Sequence, residues 1–198
     1  MRTAFIKKIT FLTGRALTAQ IVMAAPEPSF QVTIEAAPEG DVGFSGDDLF
    51  EGATILEADN LDPASTSDPR DLFGGTFSVS EPGHVLGSDE NAALGWNVKF
   101  ATARPVTIGG FELFLGDDIN GARGAKGFSF YQGDQLIASG LIDTPYAANY
   151  GNNQIKVTVK LDTPATGKEW MLELHPGPGW GVRALELDAI SPAEAQSR

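Results

Sequence analysis

The side chains best suited to holding a ligand lie in three segments of the second half of the chain. In order, they are Asp117 and Asp118, then Tyr146, Asn149 and Tyr150, and finally Trp180, which stands between two glycines. An exposed aromatic ring suits the C–H face of a pyranose, and asparagine or aspartate makes paired hydrogen bonds to hydroxyls. The segments therefore predict a carbohydrate site. The alternative is that the rings fold back as plugs in the mouth of the fold.

His175 and Arg183 flank the last of these segments and complete the candidate ligand contacts. Arg183 alternates in phase with Leu185 and Leu187, so its side chain points inward unless a β-bulge shifts the register. A guanidinium at such a position either pairs with a carboxylate or reaches a ligand at an open rim. Both roles stay open at this point.

A second group of candidates consists of carboxylates that suit a hard cation. Asp68 and Asp71 lie in an acidic loop, and Glu186 lies near the end of the chain. Cysteine is absent, which excludes disulfides, thiolate metal sites and cysteine nucleophiles, and the two histidines lack a metal-binding spacing. Because oxygen ligands are those that Ca²⁺ prefers, these three carboxylates predict a structural calcium ion.

Catalytic motifs are missing or incomplete. Residues 43–47 (GFSGD) miss the spacing of a nucleophile elbow, and the glycine-rich stretch 121–127 lacks the Lys-Ser/Thr ending of a phosphate-binding loop. Aspartates occur as adjacent pairs at 47–48 and 117–118, and consecutive side chains of a strand point to opposite faces. Neither aspartate pair therefore presets the separation of about 5–9 Å that a glycosidase needs. The sequence favours a protein that is not an enzyme.

The charge of the chain narrows its partners. The 198 residues carry 26 acids and 14 bases, for a net charge of −12, and no base occurs between positions 16 and 69. So acidic a chain disfavours nucleic acid and anionic membrane surfaces as partners. A solvated acidic surface, calcium binding or a cationic partner are all compatible with it.

Residues 1–25 predict an export signal. A basic start (Arg2, Lys7 and Lys8) precedes an apolar stretch, and small residues before Pro26 offer a cleavage site. Arg15 interrupts the apolar stretch, so an ordinary N-terminal segment is the alternative. No later stretch is apolar enough to cross a membrane. We therefore expect a secreted protein, extracellular or periplasmic, with a domain over 26–190 and a polar tail over 191–198.

The elements that must position these residues are β-strands. Residues 155–161 alternate between apolar and polar without error, 170–175 do the same, and 128–138 resemble a hairpin around a turn at 132–134. Stretches 96–100, 106–115 and 182–189 add further strands. With no helical periodicity, the pattern predicts a single antiparallel β-sandwich. If consecutive strands alternate in direction, loops 116–126, 142–153 and 176–181 share one end, which we name end A. Segments 132–134 and 162–169 share the other, end B.

Two strand segments resemble a known family. Residues 96–113, opening on Trp96 and turning through Pro105, and the ending 181–188 (GVRALELD) are similar to the core of galactose-binding-like domains of the discoidin, or coagulation factor 5/8 C, type. The resemblance covers about 70–190 and implies a jelly-roll sandwich that binds at the loops of one end. It also implies a structural calcium held by loop oxygens and a glutamate of the last strand, here Glu186. The family's Asp-Gly loop dipeptide is missing, with 71–75 (DLFGG) as a loose counterpart.

These observations predict an exported, non-catalytic module that binds a glycan or polysaccharide through end A. One alternative is a bacterial surface or matrix protein that uses the fold for adhesion, with end A closed by its aromatic rings. A hydrolase on the same scaffold is a further alternative, and it lacks motif support. No nucleic acid and no membrane insertion are expected.

Overall fold

The structure, a computed structural model, describes residues 28–36, 48–62, 68–73, 85–88, 90, 92–117, 124–142, 153–176 and 181–197. Every strand pairing among them is antiparallel. The strands are β1 (Phe30–Ala36), β2 (Thr54–Asp59), β3 (Val85–Leu86), β4 (Trp96–Asp117), β5 (Gly127–Gln132), β6 (Gln135–Leu141), β7 (Asn153–His175) and β8 (Arg183–Ile190). Two 3-10 helices, Pro69–Phe73 and Ala92–Leu94, and one α-helix, α1 (Pro192–Ser197), accompany them.

Two long bent strands make the sandwich. β4 and β7 pair from end to end, but the register shifts between Ala101 and Val106 and again between Ile108 and Gly110. Unpaired residues of this kind bend a strand sharply. On one side of the bend the pair is flanked by β2 and by β5 with β6, and on the other side by β1 and by β8 with β3. The sheet thus folds over on itself into two layers, which confirms the predicted antiparallel jelly-roll sandwich.

The sequence pattern had indicated separate strands where the chain is continuous. Stretches 96–100 and 106–115 are the two halves of β4, and 155–161 and 170–175 are the two halves of β7. The apolar alternation breaks at each bend because the bulged residues leave the ladder and lose their register. Segment 162–169, expected as a loop at end B, is therefore a bent part of β7.

The core between the layers is aromatic. Phe111 of one layer meets Phe130 of the other with ring centroids 4.4 Å apart, and Phe130 stacks on Trp170 at 6.0 Å. Trp96 and Trp170 are 1% and 0% exposed. Phe50 contributes from the segment that precedes β2 and packs edge-on against Phe100 at 5.0 Å. Burying rings of this size supplies much of the free energy that holds the two layers together.

Two short helices pack against the sheet, one beside β2 and β8 and one at the end of the chain. The 3-10 helix Pro69–Phe73 packs against β2 and β8, with Leu72 and Phe73 in the core. The tail expected after residue 190 instead forms α1, which packs on β4. The contact needs Gly109, because a Cβ there would lie 2.6 Å from the Cα of Pro192. No helix in the part of the chain that the structure describes is long and apolar enough to cross a membrane.

Candidate functional site

The strand ends that flank the three ligand-candidate segments lie together. Asp117 ends β4 opposite Asn153, and its neighbour Gly116 lies opposite Arg183. In the other layer, His175 ends β7 opposite Gly127. The indole Nε1 of Trp96 donates a hydrogen bond of 2.8 Å to the carbonyl of Val182, which ties the two layers at this end. This is the end that the alternation of strand directions predicts as end A.

His175 is held against β5 in a half-buried position. Its Nε2 lies 2.9 Å from the hydroxyl of Ser129. The ring covers Gly127, where a Cβ would lie only 2.7 Å from Nδ1. Glycine at 127 therefore lets the imidazole lie flat on the strand. The ring is fixed in orientation, as a hydrogen-bonding group in a binding site must be.

Two exposed leucines that no sequence pattern singled out lie at the same end of the sandwich as this histidine. Leu141 ends β6 opposite Gly127 and is 78% exposed, and Leu94 is 68% exposed. Leu94 precedes Gly95, which has a φ of +67° and packs so tightly that a Cβ would lie 2.1 Å from the carbonyl oxygen of Leu174. The only sequence signals were a leucine just after a strand's alternation ends and a leucine before a glycine. These side chains therefore place apolar area and a fixed polar ring at one end of the sandwich.

The structure resolves the phase of Arg183. β8 carries a bulge at Leu185, because Ala184 lies opposite Leu115 whereas Glu186 lies opposite Phe114. Arg183 therefore lies over Gly116, where a Cβ would be 3.0 Å from its Cδ, on the face away from the core. The inward orientation expected from simple alternation is wrong for this reason. At 9% exposure, the side chain favours the structural role over ligand contact.

The remaining ligand candidates lie outside the described residues. These are Asp118, Tyr146, Asn149, Tyr150 and Trp180. Asp117 is described as a backbone position only, at the end of β4.

A carboxylate group lies on the outer side of β8, toward end B. Asp48, Glu186 and Asp188 each present an oxygen, and these oxygens all lie within 4.8 Å of one another. Glu186 and Asp188 are 0% and 5% exposed. Both alternate on the same face of β8 beyond the bulge, opposite Phe114 and Glu112. Such close, buried carboxylates repel one another unless a proton or a cation compensates the charge.

Asp48 is fixed in this group by the backbone. Its Oδ1 accepts hydrogen bonds from the N–H of Ala189 at 2.8 Å and of Phe50 at 2.9 Å. Burial raises the pKa of Asp48, the two hydrogen bonds oppose this rise, and the nearby charge of Glu51 adds to it. Its Oδ2 accepts no hydrogen bond from the described part of the chain. The half-buried carboxylate therefore has one oxygen engaged and the other available.

Of the three metal ligands expected from sequence, the structure brings one into this group. Glu186 belongs to it, whereas Asp68 pairs with the exposed Arg70. The hydrogen bond from Arg70 lowers the pKa of Asp68. Asp71 lies in the 3-10 helix Pro69–Phe73, and burial raises its pKa. Asp48 and Asp188 take the remaining places in the group. The spacing of Glu186 and Asp188, two residues apart on a strand, was the signal available for Asp188, but Asp48 is distant in sequence.

The fold is shared with solved structures. No family model matches the chain, and no curated protein matches it. The family 32 carbohydrate-binding module of Clostridium perfringens NanJ, solved with galactose, matches with a TM-score of 0.50 and 12% identity, over 69% of this chain and 92% of that one. The module CpGH89CBM32-5 from Clostridium perfringens, solved with GalNAc-β-1,3-galactose, matches with a TM-score of 0.50 and 13% identity, over 70% and 95%. A module of a family 31 glycoside hydrolase from the same organism matches at 0.50 and 13%, over 73% and 97%. The likeness is one of fold, and it confirms the galactose-binding-like β-sandwich expected from the sequence.

Proposed function

We propose that this chain is a non-catalytic glycan-binding module whose ligand is held at end A. The observation that carries the proposal is the combination of two exposed leucines with an oriented imidazole at one end of the sandwich. A sugar presents the complementary pattern, an apolar C–H face bordered by hydroxyls. Two solved modules with this fold contain galactose or GalNAc-β-1,3-galactose, which supports the same class of ligand.

The roles of individual residues follow from their chemistry. Leu94 and Leu141 supply apolar area at the rim, and the half-buried imidazole of His175 supplies a fixed polar group. Tyr146, Asn149, Tyr150 and Trp180, with Asp117 and Asp118, are proposed to complete the site from the adjoining segments. Arg183 is proposed to stabilise the strand ends beneath it, because it is almost inaccessible.

The carboxylate group supports binding rather than glycoside hydrolysis. Its three ligand oxygens lie within 4.8 Å of one another, close enough to share one cation. The buried positions of Glu186 and Asp188 also leave no room for a saccharide between them.

We propose that the carboxylate group holds a structural Ca²⁺. Oxygen donors from Asp48, Glu186 and Asp188 fit a hard cation, which completes its six to eight ligands with carbonyls and water. The ion would neutralise the mutual repulsion of these groups and join the segment before β2 to the last strand. Asp68 and Asp71 remain the alternative ligands suggested by the sequence.

Export completes the proposal. Residues 1–25 would direct the chain out of the cytoplasm, into the periplasm or the extracellular space, where glycans and millimolar calcium are available. The acidic balance of the chain fits this environment and disfavours nucleic acid as a natural partner.

The test is a binding titration of the full chain with galactose and N-acetylgalactosamine, with and without Ca²⁺. His175→Ala and Trp180→Ala should each lower the affinity at least tenfold while the melting temperature stays within a few degrees. Lys99→Ala, on the outer face of β4 away from end A, is the matched control and should bind normally. If neither sugar binds and Trp180→Ala mainly lowers the melting temperature, the ring is a plug. The protein is then a structural or adhesive one.

A further inference from the structure

A cavity of about 500 Å³ lies at end B, opposite the proposed glycan site. It is lined by the start of β1, the turn between β5 and β6, and the bent part of β7, and it opens to solvent on one side. This volume is within the range of small-ligand pockets, about 300–1,000 Å³. The bend that folds the sheet into two layers also creates the recess, since the bulged residues of β7 leave the ladder there.

The polar lining of the cavity is neutral. Ser29, Gln132, Gln135, Thr163 and Thr166 supply hydroxyls and amides, and no described lining residue is charged. Amides and hydroxyls each both donate and accept hydrogen bonds, as the hydroxyls of a neutral ligand require. A charged ligand would enter such a cavity without a counter-charge and would lose its hydration.

The apolar lining is broad and rigid. Pro28 and Pro164 face the recess together with Leu161, Ile137 and Ala165. Ile137 is 8% exposed and belongs to the core, so the floor of the cavity is fixed by core packing. A ligand with one apolar face and several hydroxyls matches this division of the walls.

The polar groups are held in place before any ligand arrives. Gln132 lies opposite Trp170 on the inner side of its layer, and its amide rests over Gly167, where a Cβ would lie 2.7 Å from Nε2. Ser29 donates its hydroxyl hydrogen bond to Asp162, whose own N–H donates to the carbonyl of Ser29 at 3.0 Å. These paired bonds fix the start of β1 against β7. Prepositioned groups lower the entropy cost of binding.

We infer that the end-B cavity is a second binding site, separate from end A, for a neutral hydroxyl-rich ligand of the size of a small saccharide. Only the choice of ligand class rests on the proposed function. The location rests on the cavity itself. A module with a site at each end would engage two sugars at once and gain avidity on a polymeric glycan.

The test uses residue-resolved NMR titration of the full, ¹⁵N-labelled chain with galactose and N-acetylgalactosamine. Binding at end B should shift the amide signals of Gln132, Gln135 and Thr166. Gln132→Leu should weaken this event about tenfold by removing an amide while keeping the bulk. Gly167→Ala, which pushes the Gln132 amide from its position, should do the same without altering the glutamine. Gln31→Leu, an exposed glutamine on β1 outside the cavity, is the matched control and should leave it unchanged.

The two ends report separately. An absence of shifts at end B, up to saturation of any end-A signals or the solubility limit of the sugars, overturns this inference whatever happens at end A. Shifts at end B that survive both Gln132→Leu and Gly167→Ala also overturn it. Shifts at end B alone support the inference and refute the location in the proposed function.

Discussion

Replacing Asp48 separates the two roles that the structure gives this residue. Asp48→Asn keeps an oxygen that can accept the hydrogen bonds from Ala189 and Phe50 but removes the negative charge. Asp48→Ala removes both. Because burial raises the pKa of Asp48, the ionised carboxylate is destabilising at neutral pH when no cation is present. We therefore expect Asp48→Asn to be at least as stable as the parent in a chelator, whereas Asp48→Ala is less stable.

The magnitudes follow from the contacts. Hydrogen bonds to a charged acceptor are each worth about 1.5–3 kcal/mol, and losing two of them with partial solvent relief should cost Asp48→Ala about 2–4 kcal/mol. Calcium at about 100 times its Kd should stabilise the parent by about 2.7 kcal/mol, or roughly 5–10 °C for a domain of this size. Asp48→Asn should lose most of that rise, since a charged ligand is gone.

The pH dependence of folding stability tests the raised pKa of Asp48 independently, because its sign is fixed by the direction of the shift. A carboxyl group whose folded pKa is above its unfolded value binds its proton more tightly when folded. In chelator, the contribution of Asp48 to stability should therefore grow as the pH falls through the raised folded pKa and should level off below the ordinary value of about 3.9. Asp48→Asn cannot titrate and should lack this component.

Thermal unfolding followed by circular dichroism, in calcium and in chelator, measures all of these effects. Asp68→Asn is the matched control, because Asp68 pairs with Arg70 outside the carboxylate group. Its calcium-induced rise should equal that of the parent. If Asp68→Asn loses the rise and Asp48→Asn keeps it, the ligands are those expected from sequence and the assignment to Asp48 is wrong. If both variants keep the full rise, calcium binds elsewhere.

Three further predictions test the packing and the rim. Gly110→Ala should lower the free energy of unfolding, measured in urea, by about 3 kcal/mol or more, because its Cβ would lie 2.0 Å from a backbone carbonyl oxygen of β7. Gly167→Ala should cost less than about 1 kcal/mol, because its Cβ meets only the flexible side chain of Gln132. Leu141→Ser should change the free energy of unfolding by less than about 0.5 kcal/mol, yet it should weaken sugar binding several-fold in calorimetry. A loss of stability as large as the loss of binding free energy would make Leu141 a packing residue. Burial raises the pKa of Tyr131, and the charge of Glu173 raises it further. Glu173→Gln should therefore lower the pKa of Tyr131 in an ultraviolet titration, where the difference from Tyr131→Phe identifies the signal of this tyrosine. An unchanged pKa would contradict the contact.

The fold was predictable from the sequence because the alternation of apolar and polar residues in its strands is visible in short stretches of the chain. Residues 155–161 alternate without error, and Trp96 and Trp170, each in phase with the apolar residues of its own stretch, are in the core. The bends were not predictable. A bulge takes residues out of register, so the alternation that reveals a strand disappears at the place where β4 and β7 turn from one layer into the other. Each half was visible, and their continuity was not.

The candidate site shows the same limit at longer range. His175 was selected because it precedes an unusual loop, and the structure places it at end A as expected from the strand directions. Leu94 and Leu141 were passed over because a leucine is by default a core residue, whereas Leu141 is exposed at the end of β6 and Leu94 is exposed in the short 3-10 helix before β4. Asp48 joins Glu186 from more than a hundred residues away, through a backbone hydrogen bond to Ala189 that no local pattern encodes.

One residue of β8 reconciles the charges of the last strand with the core. Without the bulge at Leu185, Arg183 would share the face of Leu187, and a guanidinium would enter an interior built from phenylalanine and tryptophan, at a cost of several kcal/mol. With the bulge, Ala184 and Leu187 face the core, whereas Arg183, Glu186 and Asp188 all lie on the other side of the sheet. The extra residue thus places a cation and two carboxylates on one face and keeps the interior apolar. Deleting Leu185 should therefore keep this distribution of charges, since Arg183, Glu186 and Asp188 would then share one face by simple alternation, and it should cost only the packing of the buried leucine side chain.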